Sequence, residues 1–146
     1  MRSLLTACAL LSLSGCLDPG DPLLAVRDTD PPEVESTNLE DTGSIASDGT
    51  LEITFSEFMD VRTLRPGIAV FSGRDEVALR ITVPPPSEGD EDVERGDLPY
   101  TVMVNAEAGA FTANADHTLV LRDMVLTDYE GNALTEEVRV PFRTSF

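Results

Sequence analysis

Short runs in which apolar and polar residues alternate are the feature that most restricts how this chain can fold. In the clearest run, Leu51, Ile53 and Phe55 alternate with polar residues. An extended backbone places these three side chains on one face, as in a strand that is half buried in a sheet. The pattern predicts a β-strand over Leu51–Phe55, followed by a single helical turn that the Ser56 hydroxyl would cap.

Similar runs recur along the chain, separated by turns rich in Gly, Asp and Pro, and no helical period extends beyond one turn. We predict further strands at residues 33–37, 67–71, 77–83, 100–104, 119–121 and 138–142. Residues 67–71 and 77–83 would pair as a hairpin, and Pro141, which lacks an N–H group, belongs at an edge or a bulge. About seven such segments predict an all-β, antiparallel β-sandwich. A parallel α/β fold is excluded, and a barrel fits less well.

The amino-terminal residues indicate export. Arg2 precedes an apolar run of about ten residues at 4–13, which is shorter than the roughly 20 residues that a helix needs to cross a bilayer. Residues 13–16 (LSGC) then resemble the lipobox of bacterial lipoproteins, in which the cysteine is lipidated and the signal is cut before it. The resemblance implies a lipid anchor on Cys16. An ordinary secretory leader cleaved nearby is the alternative.

These assignments divide the chain into three parts. A lipoprotein signal peptide covers residues 1–15, the lipidated cysteine and a flexible linker rich in Pro and Asp cover 16–29, and one domain covers 30–146. The other cysteine, Cys8, would leave with the leader. The mature domain would therefore have no thiol for a disulfide, a nucleophile or a metal site.

Four segments of the domain carry a signature. They are residues 30–34 (DPPEV), 50–60 (TLEITFSEFMD), 127–134 (TDYEGNAL) and 138–144 (VRVPFRT). They resemble the bacterial Ig-like domains of the SbsA type, whose motifs include TITFSEPMD and DxAGNAL; Phe58 stands where the family usually has proline. The signature residues are Phe55, Ser56, Glu57, Met59, Asp60, Gly131 and Asn132. The resemblance implies an Ig-like Greek-key sandwich that acts as a spacer, adhesion or accessory module, with no catalytic residues to carry over.

The composition argues against several functions. The chain has 27 acidic and 10 basic residues, and its formal net charge is −17 at pH 7. Such a surface repels phosphate backbones, so we expect no nucleic-acid partner. His117 is the single histidine, and we interpret it as a surface residue at a strand start, because no second imidazole or thiol accompanies it as a zinc ligand. No serine lies in a G-x-S-x-G motif, and we expect no enzyme activity.

Residues 84–97 form the first of two oxygen-rich segments that could bind Ca²⁺. They contain six carboxylates, including those of Asp90 and Asp92, and oxygen ligands are what Ca²⁺ prefers. Their spacing does not match an EF-hand. A solvated loop, in which like charges repel and resist ordering, explains the same composition.

The second oxygen-rich segment contains Asp128, Glu130 and Asn132. A hairpin turn explains it too, with Gly131 or Asn132 at positive φ and Asp128 bonded to backbone N–H groups. A calcium site here would need Glu57 or Asp60 to be brought close by the fold.

We therefore expect a non-enzymatic, lipid-anchored envelope lipoprotein whose Ig-like domain is a binding, adhesion or structural spacer module. The alternative is a calcium-dependent adhesion or assembly module that uses the acidic loops. No cofactor is expected, apart from Ca²⁺ in the alternative. The expected partners are the membrane, through the anchor, and an unknown envelope protein or glycan. The expected location is the bacterial outer membrane, on its periplasmic or surface face, because Asp does not directly follow Cys16.

Overall fold

The computed structural model describes residues 28–39, 43–83 and 98–146. The elements, in chain order, are β1 (Val34–Thr37), β2 (Ser44–Ala46), β3 (Leu51–Phe55), α1 (Val61–Gly67), β4 (Ile68–Ser72), β5 (Asp75–Glu76), β6 (Leu79–Thr82), β7 (Tyr100–Ala106), β8 (Asp116–Leu121) and β9 (Val138–Ser145). No helix in these ranges is long and apolar enough to span a membrane. The expected signal peptide, Cys16, and the acidic residues Asp90 and Asp92 lie outside the described residues.

The strands form two sheets that pack face to face. The strand order is β1-β3-β7-β6 in one sheet and β2-β9-β8-β4-β5 in the other. The four strands of the first sheet correspond to the ABED sheet of immunoglobulin domains, and β4, β8 and β9 correspond to the CFG sheet, with Greek-key connections between them. The predicted all-β, Ig-like sandwich is confirmed.

One pair of strands departs from the predicted antiparallel arrangement. β2 runs parallel to β9, with Ser44 beside Arg143 and Ala46 beside Ser145. No strand was predicted here, because three residues between two turns are too few for a visible alternation. The sandwich is therefore mixed, with one parallel pair at the edge of the second sheet.

The core consists of the inward half of each strand. In the first sheet Leu51, Ile53 and Phe55 are completely buried and lie opposite Val104, Val102 and Tyr100 of β7. Leu119 and Leu121 of β8 and Val70 of β4 fill the facing side of the core. The period-two alternation that predicted these strands is thus the burial pattern of the sandwich.

The predicted hairpin between residues 67–71 and 77–83 is wrong beyond its first residues. β4 pairs with β5 only at Phe71 and Ser72, and Val77 N–H then donates to the Val70 carbonyl at 2.8 Å. The chain next crosses to the other sheet, where β6 pairs with β7. Alternation shows which side of a strand is buried, but it does not say which sheet the strand joins.

The prediction that Ser56 caps a helical turn is also wrong. The Ser56 hydroxyl accepts a hydrogen bond from Glu33 N–H at 2.9 Å and so fixes the start of β1. The helix α1 has seven residues, and its N-cap is Asp60, whose carboxylate accepts from Arg62 N–H at 2.9 Å. The Arg62 guanidinium also contacts the Asp60 carboxylate at 2.6 Å.

His117 is not the surface residue that the sequence suggested. Its side chain is buried, and its ring stacks on Phe142 with 5.2 Å between ring centroids and meets Phe111 edge-on. His117 lies two residues before Leu119 and shares its inward phase on β8, which is the physical reason for its burial.

Pro141 occupies the kind of position that was expected for it. It lies opposite Thr118 of β8, and on the other side of β9 the pairing with β2 begins only at Arg143. At Pro141 this side of β9 therefore has no neighbouring strand within the described residues. A missing N–H group is tolerated at such an edge.

Gly67 ends α1 at a point where the chain passes tightly under a buried leucine. A Cβ atom at Gly67 would overlap Cγ of Leu126, which is completely buried. Only a residue without a side chain fits this contact.

We expect Gly67→Ala to lower the free energy of unfolding by about 1–3 kcal/mol, because the added methyl group overpacks the core against Leu126. Leu126→Ala alone should cost about 2–5 kcal/mol through the cavity it leaves. The double variant should be destabilised by less than the sum of the two, since each change relieves the other. Urea unfolding of the four proteins measures this coupling, and an additive result would contradict the proposed contact.

Candidate functional site

Three carboxylates from distant parts of the chain meet at one end of the sandwich. Asp28 precedes β1, Glu57 follows β3, and Asp128 lies between β8 and β9. One oxygen from each lies within 4.8 Å of the others. Asp128 is 1% exposed and Glu57 is 7% exposed, while Asp28 is half-buried. We call this group the carboxylate cluster and this end of the sandwich the entry end, because β1 begins here.

Glu57 reaches the cluster because the alternation of β3 continues beyond the strand. Leu51, Ile53 and Phe55 point inward, and the two following residues in the same phase are Glu57 and Met59, which are both buried. Met59 forms an antiparallel bridge with Asp128. This bridge brings the segment after β3 alongside the β8–β9 connection.

Asp128 is held by the turn that follows it. Its Oδ1 accepts hydrogen bonds from the backbone N–H groups of Gly131 at 2.6 Å and Asn132 at 2.7 Å. Its Oδ2 accepts from the Asn132 side-chain amide at 2.7 Å. Gly131 has φ +92°, a backbone conformation that favours glycine. The structural role that was predicted for Asp128 and Gly131 in this turn is confirmed.

Asn132 also connects the turn to the segment that precedes β1. Its side-chain amide donates to the Asp28 carbonyl at 3.2 Å, across 104 positions of sequence. Asp28 was predicted to lie in the linker, yet here it contacts the domain and supplies the third carboxylate. Nothing local in the sequence marks it for this role.

Burial and repulsion change the protonation of Glu57. Desolvation first, and then the nearby charges of Asp128 and Asp28, raise the pKa of Glu57 to about 7. A hydrogen bond between the side chains of Glu57 and Asp128 acts in the same direction. Such a bond needs a proton on one of the two carboxyl groups. The carboxyl group of Glu57 is therefore protonated at higher pH than an ordinary glutamate.

The other acidic residues singled out from the sequence have different roles. Glu130 adds negative charge that also raises the pKa of Glu57, but as the smallest of the five contributions. Asp60 is not part of the cluster, because it caps α1 and pairs with Arg62, whose hydrogen bonds lower the pKa of its carboxyl group. A calcium site at the β8–β9 turn was predicted to need either Glu57 or Asp60 close by, and the fold brings Glu57 there.

The donors of the cluster are all oxygens, which is the ligand type of Ca²⁺ and Mg²⁺. Three carboxylates within reach of one ion would offset its charge, and the Asn132 amide orients one of them. No cysteine or histidine contributes to this group, and thiolate or imidazole ligands typical of zinc are therefore absent from it. The arrangement suits a hard cation or a shared proton.

Comparison with known proteins gives one family and a distant structural neighbour. The family model described as a bacterial Ig-like domain matches residues 28–144. A solved structure, the crystal structure of the S-layer protein rSbsC(31-844), superposes with a TM-score of 0.49 at 18% identity, covering 78% of this chain and 14% of that chain. No curated protein matches the chain.

The raised pKa of Glu57 makes stability depend on pH in a definite direction. Between the unfolded pKa of about 4.5 and the folded value of about 7, the folded state binds more protons, so the free energy of unfolding falls as pH rises. The Glu57→Gln variant has no ionisable group at this position, so its free energy of unfolding does not fall with pH for this reason. We expect the variant to match the native protein near pH 4 and to exceed it by up to about 3 kcal/mol at pH 8, since one unit of pKa shift corresponds to about 1.4 kcal/mol.

Chemical unfolding at several pH values checks this expectation. Glu52→Gln is the matched control, because Glu52 lies on the exposed face of β3 and its replacement should leave the pH profile parallel to that of the native protein. If Glu57→Gln and the native protein keep a constant difference from pH 4 to pH 8, the cluster does not hold a proton as described.

Proposed function

Since the chain belongs to the family of bacterial Ig-like domains, we propose that it is a non-enzymatic module of the bacterial envelope, held to a membrane through lipid on Cys16. Its single Ig-like domain acts as a binding, adhesion or spacer element. The observation that carries this proposal is the course of the chain through the sandwich. The chain enters at one end and its last strand finishes at the other.

The pairings of the outer strands define this course. Val34 at the start of β1 lies beside Phe55 at the entry end, whereas Ser145 at the end of β9 lies beside Ala46 at the opposite end. We call the latter the far end. β9 has eight residues and spans about 26 Å at about 3.3 Å per residue. A module built this way holds its far-end loops away from whatever anchors its first residues.

The far-end loops are candidates for contact with a partner. They are the connections at 47–50, 73–74 and 107–115. Loops on a rigid sandwich commonly carry binding residues. The partner proposed for them is an envelope protein or glycan, in addition to the membrane at the anchor. The net charge of −17 argues against nucleic acid as a partner.

The side chains also support a non-enzymatic role. The single histidine is buried against two phenylalanine rings, and its Nε2 atom has no hydrogen-bond partner among the described residues. Both cysteines precede the described residues, so a thiolate nucleophile is absent from the sandwich. A general base paired with a nucleophile is the usual minimum for hydrolytic chemistry.

We expect Cys16→Ser to move the protein from the membrane fraction to the aqueous phase in detergent phase partition, because the anchor requires the thiol. The proposed attachment is through lipid on Cys16, and several acyl chains are needed for stable anchoring. Cys8→Ser is the matched control and should stay with the membrane, since Cys8 lies in the leader. A native protein that is found in the aqueous phase would refute the anchor.

The outer membrane is proposed as its location.

A second candidate function is cation-dependent adhesion or assembly, and the convergence of Asp28, Glu57 and Asp128 favours it. Two of these side chains are almost completely buried, and bringing like charges together in a poorly solvated site is unfavourable without a compensating ion or proton. Ca²⁺ bound here would also connect the segment before β1 to the sandwich. Asp90 and Asp92 remain a separate proposal for the 84–97 loop.

We expect millimolar Ca²⁺ to raise the melting temperature by several degrees at pH 8, because a ligand that binds only the folded state stabilises it. The shift should be smaller at pH 5.5, where Glu57 holds a proton that the ion must displace. Glu57→Gln should lose most of the shift, and Glu52→Gln should retain it. Equal melting temperatures with Ca²⁺ and with chelator at pH 8 would eliminate the cation function and leave the spacer proposal unaffected.

A further inference from the structure

The single histidine of the chain lies in an aromatic environment at the far end of the sandwich. The His117 side chain is 3% exposed. Its ring stacks on Phe142, the residue opposite it in the β8–β9 ladder, with 20° between the ring planes. Phe111, from the loop at 107–115, meets the ring edge-on with 5.7 Å between centroids. One strand and one loop therefore shield the imidazole from water.

The hydrogen bonding of this ring determines which nitrogen carries its proton. Nδ1 of His117 lies 3.1 Å from the Ala115 carbonyl. A carbonyl oxygen can only accept a hydrogen bond, so Nδ1–H is the donor, and in the neutral ring Nε2 keeps a lone pair and no hydrogen. Nε2 is buried without a hydrogen-bond partner among the described residues. The site therefore fits a neutral imidazole in one tautomer.

The charges of the described residues offer no counter-ion for a second proton on this ring. The buried carboxylates are those of Glu57, Asp60 and Asp128. Two of them form the cluster at the entry end, and the third caps α1. Beside the ring, Asp116 of β8 and Arg143 of β9 pair with each other at 2.7 Å and are exposed. The strands β2 and β4 carry no charge. The charged side chains of the far-end loops are all exposed: Asp48, Arg74 and Glu107.

Placing a positive charge on the buried ring would therefore be unfavourable. The added N–H bond at Nε2 would have no acceptor, and a buried ion without a paired charge costs much more free energy than a neutral group. The face of Phe142 attracts a cation, but N–H bonds lie in the plane of the imidazole and need an acceptor at its edge. In water, by contrast, histidine gains a proton in mildly acidic solution. Protons therefore favour a state in which His117 reaches water.

The 107–115 loop is attached to the sandwich at few points. Phe111 is the one buried residue of this loop, and its backbone N–H donates to the Ser47 carbonyl at 2.7 Å. Closer to β8, Ala115 N–H donates to the hydroxyl of Thr144 at 3.2 Å. Segments with few buried apolar contacts open at a lower free energy than the paired strands of a core. The loop is therefore the part of the His117 environment that can open while the sheets stay intact.

We propose that protonation of His117 in mildly acidic surroundings releases the 107–115 loop from the far end of the sandwich. Phe111 moves away from the ring, Nε2 reaches water, and one proton from the solvent adds to its lone pair. The strands remain paired. Acid thus acts in opposite directions at the two ends, since it stabilises the carboxylate cluster. The effect of the released loop on a partner rests on the proposed function, because this loop is one of the candidate contacts, whereas the release itself does not.

Amide hydrogen exchange of the full chain, followed by NMR at pH 7 and pH 5, tests the proposal. Rates are converted to protection factors, which removes the intrinsic pH dependence of exchange. The Glu57→Gln background removes the opposite effect of the entry end. We expect protection of the Phe111 and Ala115 amides to fall by about tenfold or more at pH 5, because the proton binds only to the open state. The Arg122 amide, which donates to the Gly67 carbonyl, should keep its protection.

Two substitutions of the histidine provide the control. The side-chain amide of His117→Asn can still donate to the Ala115 carbonyl but takes up no proton in this range, so protection should be equal at pH 5 and pH 7. His117→Phe keeps an aromatic ring against Phe111 and Phe142 and should give the same result. If neither variant folds, the nitrogen chemical shifts of the native imidazole are the test. The chain has one histidine, and its ring must gain a proton in step with the loss of loop protection.

Four results would overturn the proposal. Equal protection of the Phe111 and Ala115 amides at the two pH values would show that acid does not release the loop. A fall that persists in His117→Asn would assign the effect to another group. An equal fall at the Arg122 amide would indicate unfolding of the whole domain. A neutral imidazole with its hydrogen on Nε2 at pH 7 would contradict the hydrogen bond to the Ala115 carbonyl on which the argument depends.

Discussion

The inward phase of β3 is the constraint on which most of the structure depends. Leu51, Ile53 and Phe55 occupy this phase and are completely buried, and together they make one wall of the core. The phase continues through Glu57 to Met59, so the geometry that buries the apolar residues also buries a carboxyl group. Because Met59 bridges to Asp128, the buried carboxyl group lies against a second one. The core and the carboxylate cluster are consequences of the same strand.

Much of the fold could be predicted, and the errors have identifiable causes. The strands β3 and β7 alternate over five and seven residues, long enough for the period to be unambiguous. The strand β2 was not predicted, because its three residues are too few to show a full alternation. Residues 77–83 were wrongly paired with residues 67–71 because alternation is unchanged when a chain crosses between sheets. Ser56 was misassigned because its hydroxyl bonds to Glu33, a partner 23 positions away that local sequence does not indicate.

In the candidate site too, some residues could be predicted from local sequence, and others depend on contacts with distant parts of the chain. Asp128, Gly131 and Asn132 could be placed in a turn from their side-chain chemistry alone, and they form it. Glu57 carried a signal that was visible but weak, namely an ionisable residue in the apolar phase of a strand. Asp28 carried none, because its place in the cluster depends on a contact 104 positions away. Turn chemistry is local, whereas the meeting of three segments is a property of the sandwich.

The carboxylate cluster and the half-buried side chains of β6 both show how a small sandwich closes its ends and edges when no disulfide crosses its sheets. Its cysteines lie outside the sandwich, so only packing and hydrogen bonds hold the loops and edges in place. At the entry end closure is achieved with hydrogen-bonded carboxylates, whose burial and mutual repulsion raise the pKa of Glu57. At the crossover after β5 closure is less complete, and Leu79 and Ile81 of β6 face the core but are half-buried. The net charge of −17 opposes edge-to-edge pairing of β6 with a second copy of the same chain.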